Sequence, residues 1–415
     1  MALKQGRSKR ILGLFKNEEI DFQFMRTLSA MSEGGAAVGE CLIVRDATKD
    51  AKSNAQAWFE LAEKLEKSGE EAESKGYHRT AKFHFLRATN YYRASLNIFS
   101  PIANEDEHHQ AWQKATELFE RVGQMFEQPM QRIDVPFEDG ILPCYLLQPN
   151  NNKKNRPTLM SFTGGEGSAM EMYFWIGAEG VRRGYNILLC DVPGNLGAMY
   201  RNNKKFTLRA DTEKPIGTII DKLVTLPEVD PERIGAIGFS YGGYFVSRAA
   251  VFDKRIAALI PDTPLHNAYE LFSALIPTWL LNNKRTLKLA EFLSGKLLKL
   301  SNPATLELVL WLTGSSNPSA FFEFARQSNI IDKDHEITCP VLGLYGESEG
   351  SLFEKQAKDF YENIGSTNKQ LHKFTLSEGG GAHCQVDNYN QLQEVVYDWL
   401  DDVFNYGKKR EKTSE

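Results

Sequence analysis

The chain has 415 residues, 42% of them hydrophobic and 25% charged, with a formal net charge of −5. That is enough apolar chain for one large core plus an accessory domain, and the acidic balance, with no basic stripe beyond Met1 to Arg10, offers no electrostatic footprint for nucleic acid. No apolar run approaches a membrane span, and the five cysteines (Cys41, Cys144, Cys190, Cys339, Cys384) are odd in number and lack metal-ligand spacing, so they read as reduced thiols of a cytoplasmic protein that holds no metal.

The basic start leads into Ile11-Leu12-Gly13-Leu14-Phe15, which Lys16 interrupts and which is too short for a secretory core. Apolar groups at three- and four-residue spacing then predict helices over 57–65 and 81–94, and a third fits 109–126. The first two resemble a tetratricopeptide unit, but no second copy follows at a fixed period, so a repeat array is not expected. The aromatic stripe Phe83, Phe85, Tyr91, Tyr92 reads as packing between these helices.

Two antiparallel strands are predicted next, over 132–137 and 141–147, joined by the turn Glu138-Asp139-Gly140. The apolar run 157–163 runs into Gly164-Gly165-Glu166-Gly167-Ser168, and Ile234 to Ile237 forms a strand that ends in Gly238-Phe239-Ser240-Tyr241-Gly242-Gly243. A helix-compatible run, 244–250, follows that turn, and 257–261 is a further strand. Between Asp262 and Ile337 the segments 271–281 and 306–312 are more apolar than surface helices need to be, and are expected to cover something. Cys339 to Gly346 reads as a buried strand entered through Pro340, the alternating run 371–376 as the last strand, and 389–404 as a closing helix.

Chemistry concentrates at four of these junctions. A G-x-S-x-G between a strand and a helix puts Ser240 on a sharp, strained turn that holds its hydroxyl above the sheet edge, which makes it the candidate nucleophile. Serine is weak at neutral pH and needs a base. Of the eight histidines, His383 alone sits in a glycine-rich loop, 378–384, after the last strand; the others lie in the helical third or beside and within strands. Cys384 beside it reads as packing. A carboxylate must then accept the imidazole N–H; Glu347 and Glu349 lie in the loop after the strand that ends at Gly346, and Asp262 ends the preceding strand. Donors for a developing oxyanion are expected from the backbone N–H of Tyr241 and from Gly165 or Glu166, in a loop that lacks the lysine-serine or lysine-threonine pair of a phosphate loop.

From Gln131 to Phe404 these pieces resemble the serine α/β-hydrolase superfamily. With the helical N-terminal extension, Asp191-Val192-Pro193-Gly194 and Gly381-Ala382-His383-Cys384-Gln385, the chain is similar to a narrower group: 2,6-dihydroxypseudooxynicotine hydrolase, fungal polyketide-shortening hydrolases and fermentation-respiration switch proteins. The resemblance implies an α/β fold with a mostly parallel eight-stranded sheet flanked by helices, an N-terminal helical domain over 1–128, a catalytic domain over 129–408, and a helical cap inserted at 264–336. It also implies an acid three residues after the strand-ending glycine, which selects Glu349 over the alternatives Asp262 and Glu347, although most members carry aspartate there.

The activity so implied is hydrolysis of a C–C, ester or related acyl bond in a bulky small molecule through an acyl-enzyme, with no cofactor. Trp279, Leu280, Leu310 and Trp311 of the cap are expected to line the acyl pocket. The alternatives are acyl transfer to an amine, alcohol or thiol by the same residues, and a binding or regulatory shell without activity. No clear amine-binding carboxylate pair supports an aminopeptidase, no nucleic-acid or membrane partner is expected, and a homodimer is compatible with the apolar insertion.

Overall fold

A computed structural model of the protein describes residues 12–96, 101–151, 155–273 and 303–407. Residues 274–302 of the expected cap, with Trp279 and Leu280, and the basic start Met1 to Arg10 lie outside the described residues. Strands β1 (Gln131–Phe137), β2 (Gly140–Leu147), β3 (Arg156–Phe162), β4 (Asn186–Cys190), β5 (Val229–Phe239), β6 (Ile256–Asp262), β7 (Val341–Gly346) and β8 (Lys369–Phe374) form one sheet in the order β1-β2-β4-β3-β5-β6-β7-β8. The β1–β2 hairpin is antiparallel and β2 meets β4 antiparallel; every pairing from β4 to β8 is parallel. β3, β4 and β7 are buried along their whole length because helices cover both faces, so none of them shows a polar-apolar alternation, and β4 was not among the strands expected from the sequence. This is the mostly parallel α/β-hydrolase sheet that the resemblance implied.

Register decides where the site falls. Phe162 of β3 pairs with Gly238 of β5, and Phe239 pairs with Asp262 of β6. The loops that follow β3, β5 and β6 therefore leave the sheet side by side at its carboxyl edge, where parallel sheets form their ligand crevices.

Among the described residues five α-helices precede the sheet: α1 (Glu18–Ser29), α2 (Val38–Ala47), α3 (Ala51–Ser74), α4 (His78–Leu96) and α5 (Glu105–Gly123). The three helices expected from periodicity are α3, α4 and α5, with α3 reaching well beyond its predicted ends. Its start is set by a reciprocal cap, in which Asp50 accepts from Ser53 N at 2.8 Å while Ser53 Oγ accepts from Asp50 N at 2.9 Å. α1, which was not expected, begins at Asn17, whose side chain accepts from Glu19 N and Ile20 N. Phe85, Tyr91 and Tyr92 of the aromatic stripe are fully buried, with Tyr91 against Trp58 at 5.1 Å between centroids. These helices share one continuous apolar cluster with a face of the sheet, through Leu159 and Ile187.

After β3 come α6 (Ala169–Met172), a wide turn over Tyr173–Gly177 and α7 (Ala178–Arg182); after β4, α8 (Leu196–Arg201) and α9 (Glu213–Leu223). α10 (Tyr241–Phe252) follows β5 directly. Between β6 and β7 lie α11 (Ala268–Ser273), α12 (Pro303–Thr313) and α13 (Pro318–Gln327), the last opened by Asn317, which accepts from Ala320 N at 2.9 Å. α14 (Ser351–Asn363) precedes β8 and α15 (Tyr389–Phe404) closes the chain against the first face of the sheet. Among the described residues no helix is long and apolar enough to cross a membrane.

Candidate active site

Ser240 stands between β5 and α10 with φ 57° and ψ −123°, a conformation that costs a non-glycine residue energy and that the surroundings must impose. Its N–H donates to Asp262 O at 2.5 Å, and its carbonyl accepts from Gly243 N at 2.9 Å. The turn is so tight that a Cβ on Gly238 would come within 2.0 Å of Gly242 O, which is why the motif needs a glycine there.

The imidazole of His383 reaches this hydroxyl from the loop after β8, with Nε2 at 2.9 Å from Ser240 Oγ. Its Nδ1 meets Glu349 Oε1. Glu349 is buried and already accepts from Gly346 N at 2.7 Å and from Thr263 Oγ1 at 2.7 Å, so its carboxyl is held rigidly by the ends of two strands. With a carboxyl acceptor at Nδ1, that nitrogen carries the imidazole proton and Nε2 presents a lone pair to the serine. Ser348 N donates to Gly381 O at 2.8 Å and ties the loop after β7 to the loop after β8.

The two other carboxyl groups go elsewhere. Glu347 accepts from Leu376 N at 2.8 Å, beyond the end of β8. Asp262 is fully buried at the end of β6; burial first, and then the charge of Glu349, push its carboxyl well above the usual range. Burial likewise pushes the Cys384 thiol up, and the side chain packs with its Sγ near Asp262 O.

The loop after β3 closes the other side of Ser240. A Cβ on Gly164 would sit 2.9 Å from Ser240 Cβ and 3.2 Å from Tyr241 N, so the backbone itself presses against the elbow. Asn195 Nδ2 holds Gly164 O at 2.8 Å, and Asp191 Oδ1 accepts from Ala169 N at 2.8 Å, which gives Asp191 to Gly194 a bracing role. Burial raises the Asp191 carboxyl to about 7. Gly165, Glu166 and Tyr241 all border the cavity above Ser240.

That cavity has a volume of about 280 Å³ and mostly apolar walls, among them Trp175, Leu208, Phe272, Leu312, Phe321 and Phe353. α11 and α13 close it together, with the rings of Phe272 and Phe321 4.8 Å apart. Phe22 and Arg26 of α1 reach it too. No periodic signal marked that contribution; only the placement of an arginine along the apolar stripe of a capped helix, between Met25 and Ser29, could have hinted at it. Thr263, which shares Glu349, carries no motif at all.

The expected pocket role of Trp311 is corrected by the structure. Leu308, Val309, Leu312 and Thr313 form the cavity face of α12, whereas Leu310 and Trp311 lie outside it. Helical geometry turns Trp311 away from that face, and its ring packs against His108 at 5.8 Å and Tyr200 at 6.2 Å, docking α12 onto α5 and α8. Trp311→Ala is accordingly expected to cost on the order of 1–3 kcal/mol of stability with an unchanged acyl-chain profile. Leu312→Ala should instead alter discrimination between acyl groups by about 1–3 kcal/mol in kcat/KM. Melting curves and an ester series, run on both variants, check the assignment; a profile change confined to Trp311→Ala would reverse it.

Among the described residues no cluster of three or more His, Cys, Asp or Glu could hold a metal ion. A family model described as esterase FrsA-like matches residues 56–273. Over 94% of the chain and 97% of the relative, it is 34% identical to the alpha/beta hydrolase xenA of Xenoacremonium sinensis. It is 28% identical to the 20-hydroxy-prefusarin hydrolase FUS2 of Gibberella moniliformis, over 94% of the chain and 98% of the relative. Among solved structures, that of 2,6-dihydroxy-pseudo-oxynicotine hydrolase superposes with a TM-score of 0.72 at 18% identity, covering 90% of this chain and 95% of the other.

Proposed function

We propose, from the premise that this chain belongs to the esterase FrsA-like family of α/β-hydrolases, that it cleaves a C–C, ester or related acyl bond of a bulky small molecule through a serine acyl-enzyme. The observation that carries this reading is the unbroken series of contacts from Ser240 Oγ through His383 to Glu349, at the wall of an apolar cavity. In this reading Ser240 Oγ attacks the carbonyl carbon while His383 Nε2 takes its proton; the same proton then goes to the leaving group, a carbanion or an alkoxide. Glu349 stabilises the imidazolium, and the N–H of Tyr241 with that of Gly165 or Glu166 receives the carbonyl oxygen as it becomes negative. Water, activated by His383 in turn, hydrolyses the acyl-enzyme.

A relative named for 20-hydroxy-prefusarin supports a small-molecule substrate, and the apolar walls support one whose acyl part is largely hydrocarbon or aromatic. The test is labelling with an aryl organophosphonate followed by mass mapping. One phosphonyl adduct on Ser240 is the expected result; an unlabelled serine in folded protein would mean a shell without acyl chemistry. An ester series that includes a 1,3-diketone then separates ester from C–C cleavage.

A further inference from the structure

Helix α1 brings a buried guanidinium to the loop that faces Ser240. Arg26 is 5% exposed and lies over the Trp175 ring, 5.3 Å from its centroid. Its Nε donates to Glu171 Oε1 at 2.6 Å and its Nη2 to Glu171 Oε2 at 2.5 Å, a two-pronged grip on the helix that follows the loop. Its Nη1 donates to Glu166 Oε1 at 3.0 Å, within the loop itself. Glu171 is 2% exposed and is paired as well with Arg93 of α4, at 2.9 Å. All three nitrogens of Arg26 thus have carboxylate partners, and both partners belong to the segment from 166 to 171.

We propose that Arg26 is a positioning residue for the oxyanion-binding loop, so that the N-terminal helical segment completes the active site rather than merely packing behind it. The inference rests on the acyl-enzyme reading above. Asn195 and Asp191 fix the backbone of this loop at Gly164 and Ala169; the stretch between them, with the candidate donors Gly165 and Glu166, is gripped by side chain through Arg26. Donors to a growing negative charge act by being held in place beforehand, and small displacements cost much. Arg26 also borders the cavity beside Trp175, but the apolar stem of a lysine can still cover that ring, so ground-state binding to the apolar walls should change little and the effect should fall on kcat. Lysine cannot replace the grip, because a single ammonium cannot fork onto Glu171 and reach Glu166 together.

The experiment compares Arg26→Lys with wild type on one aryl ester and with an aryl organophosphonate. Arg26→Lys is expected to lower kcat by about 10- to 100-fold with KM within about threefold. Phosphonylation, whose phosphoryl oxygen needs the same donors, should slow by a similar factor yet still land on Ser240. If wild type is not labelled, the acyl-enzyme reading itself has failed; if both are labelled at equal rates, only the role of Arg26 has. Because Arg26→Lys leaves a buried carboxylate poorly paired and can fail to fold, Glu166→Ala and Glu166→Gln serve as a second pair. Loss of kcat in Glu166→Ala with recovery in Glu166→Gln supports the proposal. Unchanged kcat in every folded variant, or a loss expressed wholly in KM, overturns it.

Discussion

Ser240→Ala should reduce kcat by at least about 10⁴-fold while leaving the melting temperature close to that of wild type. The size of the effect follows from the chemistry proposed for the residue: without Oγ no covalent intermediate forms, and what remains is the contribution of binding and oxyanion donors to direct attack by water. The small cost in stability follows from the local geometry. Alanine keeps the Cβ that already fits beside Gly164, and the backbone bonds from Ser240 N to Asp262 O and from Gly243 N to Ser240 O do not involve the side chain. A folded variant that retained more than about a tenth of wild-type turnover would sink the acyl-enzyme mechanism. The same variant should take no phosphonate label, which separates loss of the nucleophile from loss of a binding contact.

The parts of this fold that can be read from sequence are those in which one local rule dominates. Ile234 to Gly243 is a case: a short apolar strand, a glycine that no side chain could replace, and a helix that starts at once leave the chain a single way to turn. The strand entered through Pro340 and the glycine-rich loop before His383 are similarly local, and Ser240, His383 and Glu349, singled out in the sequence, meet in space. Choosing among Glu347, Glu349 and Asp262 was beyond the residues alone, because three carboxyl groups at strand ends differ only in where the sheet register aims them. Family resemblance chose among them, and in the structure it is Glu349 that meets His383 Nδ1 while Glu347 accepts from Leu376 N.

What sequence does not carry is the partner of a helix face. Periodicity assigned Trp311 to an apolar helix correctly but not to a side of it, since an aromatic ring satisfies a cavity wall and an interhelical seam equally well; His108 and Tyr200 claimed it. Arg26 failed in the opposite sense. A basic residue in a helix reads as solvated, and only the approach of Glu166 and Glu171, 140 and 145 positions away, makes burial tolerable. Burial pushes that guanidinium down, and Glu171 and Glu166 more than reverse the effect, leaving it above its ordinary value.

Glu349→Gln is expected to lower kcat by on the order of 10² to 10⁴. The amide cannot satisfy its surroundings in either orientation: Gly346 N–H and Thr263 O–H donate to the carboxyl oxygens while His383 Nδ1 needs an acceptor from the same group. Turning the amide nitrogen toward the ring forces the proton onto Nε2, where it blocks transfer from Ser240. Asp262→Asn and Glu347→Gln should each cost far less, and a larger loss in Asp262→Asn than in Glu349→Gln would move the acid role to β6. Stability gives an independent reading of Asp262. With its carboxyl raised in the folded protein, Asp262 contributes stability that is lost as pH rises above about 4, where the unfolded chain releases its proton. An amide removes that slope, and Asp262→Asn should therefore gain stability relative to wild type between pH 4 and 7. A difference that stayed flat across this range would mean that Asp262 is ionised beside Glu349, and would return it to contention as the partner of His383.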